Sequence, residues 1–72
     1  MQEWEYHPNP RRWTLTIGGW YALVQAVDTS QYRWQGSIER AEPRERHEGP
    51  GYEDAAGARA WCLEIIAKLR AG

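Results

Sequence analysis

The clearest pattern in the chain is a hairpin signature in its first half. Residues 12–17 alternate polar and apolar side chains, Gly18 and Gly19 follow, and residues 20–28 are rich in strand-forming residues. A two-residue Gly-Gly loop is typical of type I′ and II′ turns, because these turns need positive φ values that glycine adopts at little cost. The pattern therefore predicts two antiparallel strands, over residues 12–17 and 20–28.

The loop length also predicts which residues of the two strands lie opposite each other. On one face the opposed pairs are Ile17 with Trp20, Leu15 with Ala22, and Trp13 with Val24. All six residues are apolar, so this face is predicted to be the core. The other face is more polar, but it carries an apolar strip of Tyr21, Leu23 and Val27 that needs a cover of its own.

A third strand is predicted over residues 31–40, where Tyr32, Trp34 and Ile38 fall on one side. A connection with an odd number of loop residues would bring this side onto the core face. The three strand tryptophans then pack in the core rather than forming a platform that stacks on bases. Residues 41–51 carry alternating charges between two prolines, and we expect an exposed loop or a bent strand end there.

The last element is a helix, predicted from residue 54 to about residue 70. Asp54 is a good N-cap, because its carboxylate can accept hydrogen bonds from the free amides of the first helical turn. The apolar residues that step by three and four along one side are Ala55, Ala58, Cys62, Ile65 and Leu69. This stripe should cover the sheet, while Arg59, Glu64 and Lys68 are predicted to face water.

Residues 1–11 form an arm in which Trp4 and Tyr6 alternate with charged residues, a spacing compatible with an edge strand over residues 3–6. We expect the arm to fold back over the apolar strip on the outer sheet face. A second molecule, either a copy of the chain or an unrelated partner, is the alternative cover.

A chain of 72 residues has room for one hydrophobic core. The elements above predict an α+β fold, with a three-stranded antiparallel sheet packed on one C-terminal helix (βββα). The sheet is four-stranded if the arm adds its edge strand. Residues 12–72 then form a single domain that follows the arm of residues 1–11.

Charge and composition exclude several classes of function. Nine Lys and Arg residues against ten Asp and Glu give a net charge of −1, which disfavours a dedicated nucleic-acid binder. The single cysteine, Cys62, is predicted to be a buried structural thiol, and with His7 and His47 it makes no convincing zinc site. No catalytic or cofactor-binding motif and no run with the length of a membrane span is present. We therefore expect a nonenzymatic protein without metal or cofactor, in a reduced, cytoplasmic compartment.

Two segments resemble a known group of DNA-binding domains. They are Trp20-Tyr21-Ala22-Leu23-Val24 on the middle strand and the Ala-rich entry into the helix after Tyr52 and Asp54. With the βββα order, they make residues 12–70 similar to the AP2-type DNA-binding domain and to the arm-binding domains of tyrosine integrases. The resemblance implies that the outer sheet face contacts DNA, here through Arg12, Thr14, Thr16, Arg33 and Gln35. That face offers fewer arginines than the family places there.

The shortage of cations on that face favours a protein partner over DNA, because each neutralised phosphate needs a cation. We expect a small accessory protein of a bacterium or phage, of the inhibitor or adaptor type, that is a monomer or a weak homodimer. Its predicted protein-binding residues are Trp4, Tyr6, Tyr21 and Leu23. DNA binding through the outer sheet face is the alternative function.

Overall fold

The structure, a computed structural model, describes residues 3–27 and 33–71. Its elements are β1 (Glu5–Pro8), β2 (Arg11–Ile17), β3 (Trp20–Ala26), β4 (Trp34–Arg40), β5 (Glu45–Tyr52) and α1 (Ala55–Ala71). The five strands form one antiparallel sheet in chain order, and α1 packs on one face of it against β3, β4 and β5. The α+β class is confirmed, with five strands rather than the three or four expected.

The β2–β3 hairpin has the predicted turn and the predicted register. Gly18 and Gly19 have φ values of 57° and 84°, and two positive values identify a type I′ turn. The opposed pairs are Ile17 with Trp20, Leu15 with Ala22, and Trp13 with Val24. The hairpin therefore presents its apolar side to the helix, as the alternation of the two segments predicts.

Strand β5 corrects the expectation that residues 41–51 form an exposed loop. Only residues 41–44 turn, and β5 then pairs with β4 through oppositely charged residues, Glu39 opposite Arg46 and Arg40 opposite Glu45. The inner side of β5 is closed by the helix, because the Trp61 ring lies against Gly49, where an added Cβ would be 2.7 Å from the ring. A charged sequence can thus form this edge strand, since only its inner side faces the core.

Strand β1 also corrects the expected position of the arm. It pairs antiparallel with β2 and places Tyr6 opposite Trp13, so Tyr6 lies on the same face as the helix. Trp4 packs against the core cluster on that side. The expectation that the arm covers the apolar strip on the other face is wrong, although its edge strand is present, over Glu5–Pro8 rather than residues 3–6.

Helix α1 begins as predicted, because the Asp54 carboxylate accepts a hydrogen bond of 2.8 Å from the Gly57 amide. Its most buried residues are Ala58, Cys62 and Ile66, which step by four, so the buried stripe passes through Ile66 rather than Ile65. Within the described part of the chain, no helix is long and apolar enough to cross a membrane.

The core lies between α1 and the middle of the sheet. Its buried residues are Leu15, Trp20, Ala22, Val24, Ile38, Ala58, Cys62 and Ile66. Of the three tryptophans predicted to be in the core, only Trp20 is fully buried, while Trp13 and Trp34 are half-buried at its margin. Tyr32, predicted to join them, lies outside the described residues, as does the predicted loop that precedes it.

Candidate binding surface

The structure divides the four predicted protein-binding residues between the two faces of the sheet. Trp4 and Tyr6 lie on the helix side, where β1 and β2 extend the sheet beyond α1. Tyr21 and Leu23 lie on the opposite face, which α1 does not cover. Among the described residues, Tyr6 and Tyr21 are the exposed large apolar side chains, at 43% and 40% respectively. The two faces are therefore separate candidate surfaces.

On the helix side, two aromatic rings and an arginine are in contact one after the other, with the rings tilted at 51° to each other. The rings of Tyr6 and Trp13 are 4.8 Å apart between centroids, and the Arg59 guanidinium lies 4.3 Å from the Trp13 centroid. Such contacts between a guanidinium and an indole contribute about 0.5–2 kcal/mol, depending on solvation. The half-buried Trp13 is thus held between a strand residue and a helix residue.

A second arginine occupies a similar position two residues before Trp13. The Arg11 guanidinium lies 5.6 Å from the centroid of Trp34, on the same side of the sheet. Residues two apart in a strand share a face, so Arg11 and Trp13 both project toward the helix side. We call the set of Tyr6, Arg11, Trp13, Trp34 and Arg59 the aromatic–arginine cluster.

Arg59 is the member of this cluster whose exposure the sequence predicts wrongly. The helical period assigns it to the solvent side, but it is half-buried, and its Nε atom is buried without a hydrogen-bond partner among the described residues. Arg59 is half-buried because the sheet is wider than the helix. Strand β2 lies beyond the edge of the helix, and the Arg59 side chain reaches over it to contact Trp13. The sheet gains that width from the pairing of β1, β2 and β3 in chain order.

The arginines of the cluster differ from Arg40 and Arg46, which form ion pairs. Arg40 bonds Glu45 at 2.8 Å, and Arg46 contacts both Glu48 at 3.0 Å and Glu39 at 3.7 Å. Among residues 3–27 and 33–71, none of the ion pairs includes a cluster arginine. The cluster thus carries two cationic groups that the described carboxylates do not neutralise.

The outer sheet face holds the residues that the DNA-binding alternative requires. Arg12, Thr14 and Thr16 project from β2, Gln35 projects from β4, and the exposed Arg33 precedes β4. Several of these side chains already have contacts within the chain. Arg12 donates to the carbonyl of Pro10 at 3.1 Å, Gln35 donates to the carbonyl of Gly49 at 3.0 Å, and Thr14 Oγ1 lies 3.2 Å from His7 Nε2.

A shallow depression of about 540 Å³ opens beside the β2–β3 turn. It includes Trp20, Tyr21, Arg40 and Arg44 in its lining. Arg40 is occupied there, because its guanidinium lies 4.7 Å from the Trp20 centroid and also bonds Glu45 at 2.8 Å. Arg44, the other arginine of the lining, takes part in none of the ion pairs of the described residues, so the depression offers one such cation against two in the aromatic–arginine cluster.

The only cysteine has the environment of a structural thiol. Cys62 is fully buried, and its Sγ donates to the carbonyl of Ser37 at 3.8 Å. Burial raises the pKa of the Cys62 thiol to about 12, so the thiolate that a nucleophile requires is disfavoured. In the part of the chain that the structure describes, no group of three or more His, Cys, Asp or Glu residues is placed to hold a metal ion.

No protein-family model, no curated protein and no solved structure matches this chain. The assignment of a function therefore rests on the contacts and charges of the described residues.

Proposed function

We propose that this chain is a nonenzymatic protein-binding module that docks a protein partner on the aromatic–arginine cluster. The observation that carries the proposal is the exposed Tyr6 ring, packed at a tilt against a Trp13 ring that has the Arg59 guanidinium over it. Tyr, Trp and Arg are the residue types enriched at the energetic centres of protein interfaces. Large, rigid side chains suit this role because they bury much area at a small cost in conformational entropy.

The packing of the cluster supports the same function. Trp13 and Trp34 are ordered by their contacts with the core and with the two arginines before any partner arrives. A surface that is ordered in advance loses less conformational entropy on binding, so more of the contact energy appears as affinity. An adaptor or an inhibitor of this size, which has one small domain to present, would benefit from such an ordered patch.

DNA binding through the outer sheet face is the alternative proposal. Its cations would be Arg12 and Arg33, since Arg46 on the same face is paired with Glu39 and Glu48. Binding to duplex DNA commonly neutralises several phosphates, and each of them needs a cation. The balance of charge on this face therefore supports a protein partner more than DNA.

The proposal is tested by a photoreactive amino acid, p-benzoylphenylalanine, placed at position 6 or at position 21 in cells that produce the protein. Tyr21 is a matched control because it is the same residue type with nearly the same exposure, 40% against 43%, on the other face. We expect a discrete crosslinked protein from position 6 and none from position 21.

The crosslinked protein is then purified, and its affinity is measured for Tyr6→Ala and Tyr21→Ala variants. We expect Tyr6→Ala to weaken binding about tenfold or more, as for a residue at the centre of an interface, and Tyr21→Ala to have little effect. Crosslinking from position 21 alone would move the interface to the outer face, and no crosslink from either position would contradict the proposal.

The alternative is tested by the anisotropy of labelled random duplex and single-stranded DNA at low and moderate salt. Submicromolar binding with a steep salt dependence would establish DNA binding instead. Weak binding with little salt dependence would contradict the alternative. An Arg12→Gln variant identifies the face, because this arginine lies on the outer side of β2.

A further inference from the structure

The two arginines of the aromatic–arginine cluster each lie over an indole ring. The Arg59 guanidinium lies over Trp13 and the Arg11 guanidinium lies over Trp34, at 4.3 Å and 5.6 Å from the ring centroids. A guanidinium directs its N–H groups within its own plane, so stacking on a ring occupies its face and leaves its edge available. Because Arg59 Nε is buried, the donors left to Arg59 are those of its terminal nitrogens.

Among the described residues, these two groups have no acceptor of opposite charge. The ion pairs formed by residues 3–27 and 33–71 involve other cations, and the hydrogen bonds of their side chains include none donated by either cluster arginine. In a chain with a net charge of −1, this patch is locally cationic. The group that complements this patch is therefore an anionic group of the partner.

We infer that the partner docks through an acidic peptide segment, in which Asp or Glu carboxylates bind Arg59 and Arg11 and an apolar neighbour covers Tyr6. The inference rests on the proposed function and specifies the chemistry of the partner. A carboxylate matches the planar fork of a guanidinium, and such charge-assisted hydrogen bonds are shorter and stronger than neutral ones. The exposed Tyr6 ring supplies adjacent apolar area for the next side chain of the segment.

A peptide is favoured over a nucleic acid by the number and placement of the cations. Two arginines, each over an indole ring, suit one or two carboxylates, whereas a nucleic acid presents a continuous row of phosphates. The neighbouring Arg12 cannot join them, because it lies on the opposite side of β2 and donates to the carbonyl of Pro10. The site is thus small and shaped for a short acidic motif.

The first part of the test is selection of 12-residue peptides from a random phage-displayed library on the immobilised full chain. We expect the enriched peptides to carry Asp or Glu beside an aromatic or aliphatic residue. One enriched peptide is then synthesised, together with a version in which each Asp or Glu is replaced by Asn or Gln, and both are titrated by calorimetry.

The second part compares arginine variants of the protein with the acidic peptide. We expect Arg59→Gln and Arg11→Gln each to weaken binding about tenfold or more, Arg59→Lys to weaken it less, and raised salt to weaken binding by the wild type. Arg12→Gln is the matched control, since it removes the same charge one residue away on the other face, and it should change the affinity less than twofold. Urea midpoints establish that each variant is folded, and the exposed Arg11 provides a variant that leaves Arg59 packing intact.

Several outcomes would overturn the inference. These are enrichment of peptides without acidic residues, no enrichment at all, equal binding of the neutralised peptide, or equal losses with Arg12→Gln and Arg59→Gln. An oligonucleotide of thymidines that binds more tightly than the peptide would also overturn it. Peptides without acidic residues whose binding is lost in Tyr6→Ala would leave the protein-binding function standing, so the two failures are distinguishable.

Discussion

Trp20 and Trp34 have the same side chain but are buried to different extents in one core. Substituting each of them tests whether the loss of stability follows the burial. Trp20 is 2% exposed, whereas Trp34 is half-buried and has the Arg11 guanidinium over its ring. A fully buried tryptophan removes roughly 150–250 Å² from water, or about 4–6 kcal/mol at 25 cal/mol per Å². We therefore expect Trp20→Ala to cost about 3–5 kcal/mol, as large truncations of a core ring do.

The corresponding cost for Trp34→Ala should be about half as large, roughly 1.5–3 kcal/mol. Part of the Trp34 ring meets water in the folded protein already, and solvent can fill the space that the ring leaves. A chain of 72 residues has a total stability of about 4–11 kcal/mol. Trp34→Ala should therefore unfold cooperatively at a lower urea concentration, while Trp20→Ala should be close to unfolded in water.

The measurement is urea denaturation followed by far-ultraviolet circular dichroism, because tryptophan fluorescence would change with the substitution itself. Trp20→Phe and Trp34→Phe form a second pair, which keeps a ring at each position and yields a midpoint even if Trp20→Ala does not fold. An unchanged slope of free energy against urea establishes that the two-state comparison holds. If the Trp34 variants lose as much stability as the Trp20 variants, or more, the assigned depths are wrong.

Two further predictions concern single ionisable groups. Cys62 should react with an aromatic disulfide reagent about 1,000-fold more slowly in the native protein than in urea, the factor given by an opening free energy of about 4 kcal/mol, and equal rates would contradict its burial. The hydrogen bond from His47, with the Arg40 guanidinium close by, holds the pKa of Glu45 below its usual range. The charge of Glu45 therefore contributes stability above its unfolded pKa, and this contribution is lost as the pH falls through its lower folded pKa. Urea midpoints should show Glu45→Gln less stable than the wild type at pH 7 with a smaller gap at pH 3, and an equal gap would refute the assignment.

The sequence predicts the elements whose signals are local and fails where the signal depends on distant neighbours. The β2–β3 register follows from a two-glycine loop and six apolar residues, and all of this information lies within 12 positions of the chain. Strand β5 is different, because its charges and glycines are typical of loops. Its signal lies in complementarity with β4, since Glu39 and Arg40 are opposite Arg46 and Glu45 across the turn. Pairing of opposite charges is visible only once the two segments are aligned.

The candidate site was only partly predictable for the same reason. Tyr6 and Trp4 were identified from their aromatic character, but their face depended on the pairing of β1 with β2. The sequence predicts that Arg59 faces water, because a helical period gives the direction of the core and not the width of the sheet beneath it. The width comes from β1 and β2, which extend past α1 and turn a solvent position into a contact with Trp13.

The chain order of the sheet also bears on how the fold can form. Each strand pairs with the strand next to it in sequence, so closing each pair costs the entropy of a short loop only. Among the backbone contacts between elements, those of greatest sequence separation join α1 to β3, because two strands and their connections lie between them. Docking of the helix on the sheet is then the loop closure with the largest entropy cost. It is also the step that removes Trp20 and the rest of the apolar face from water.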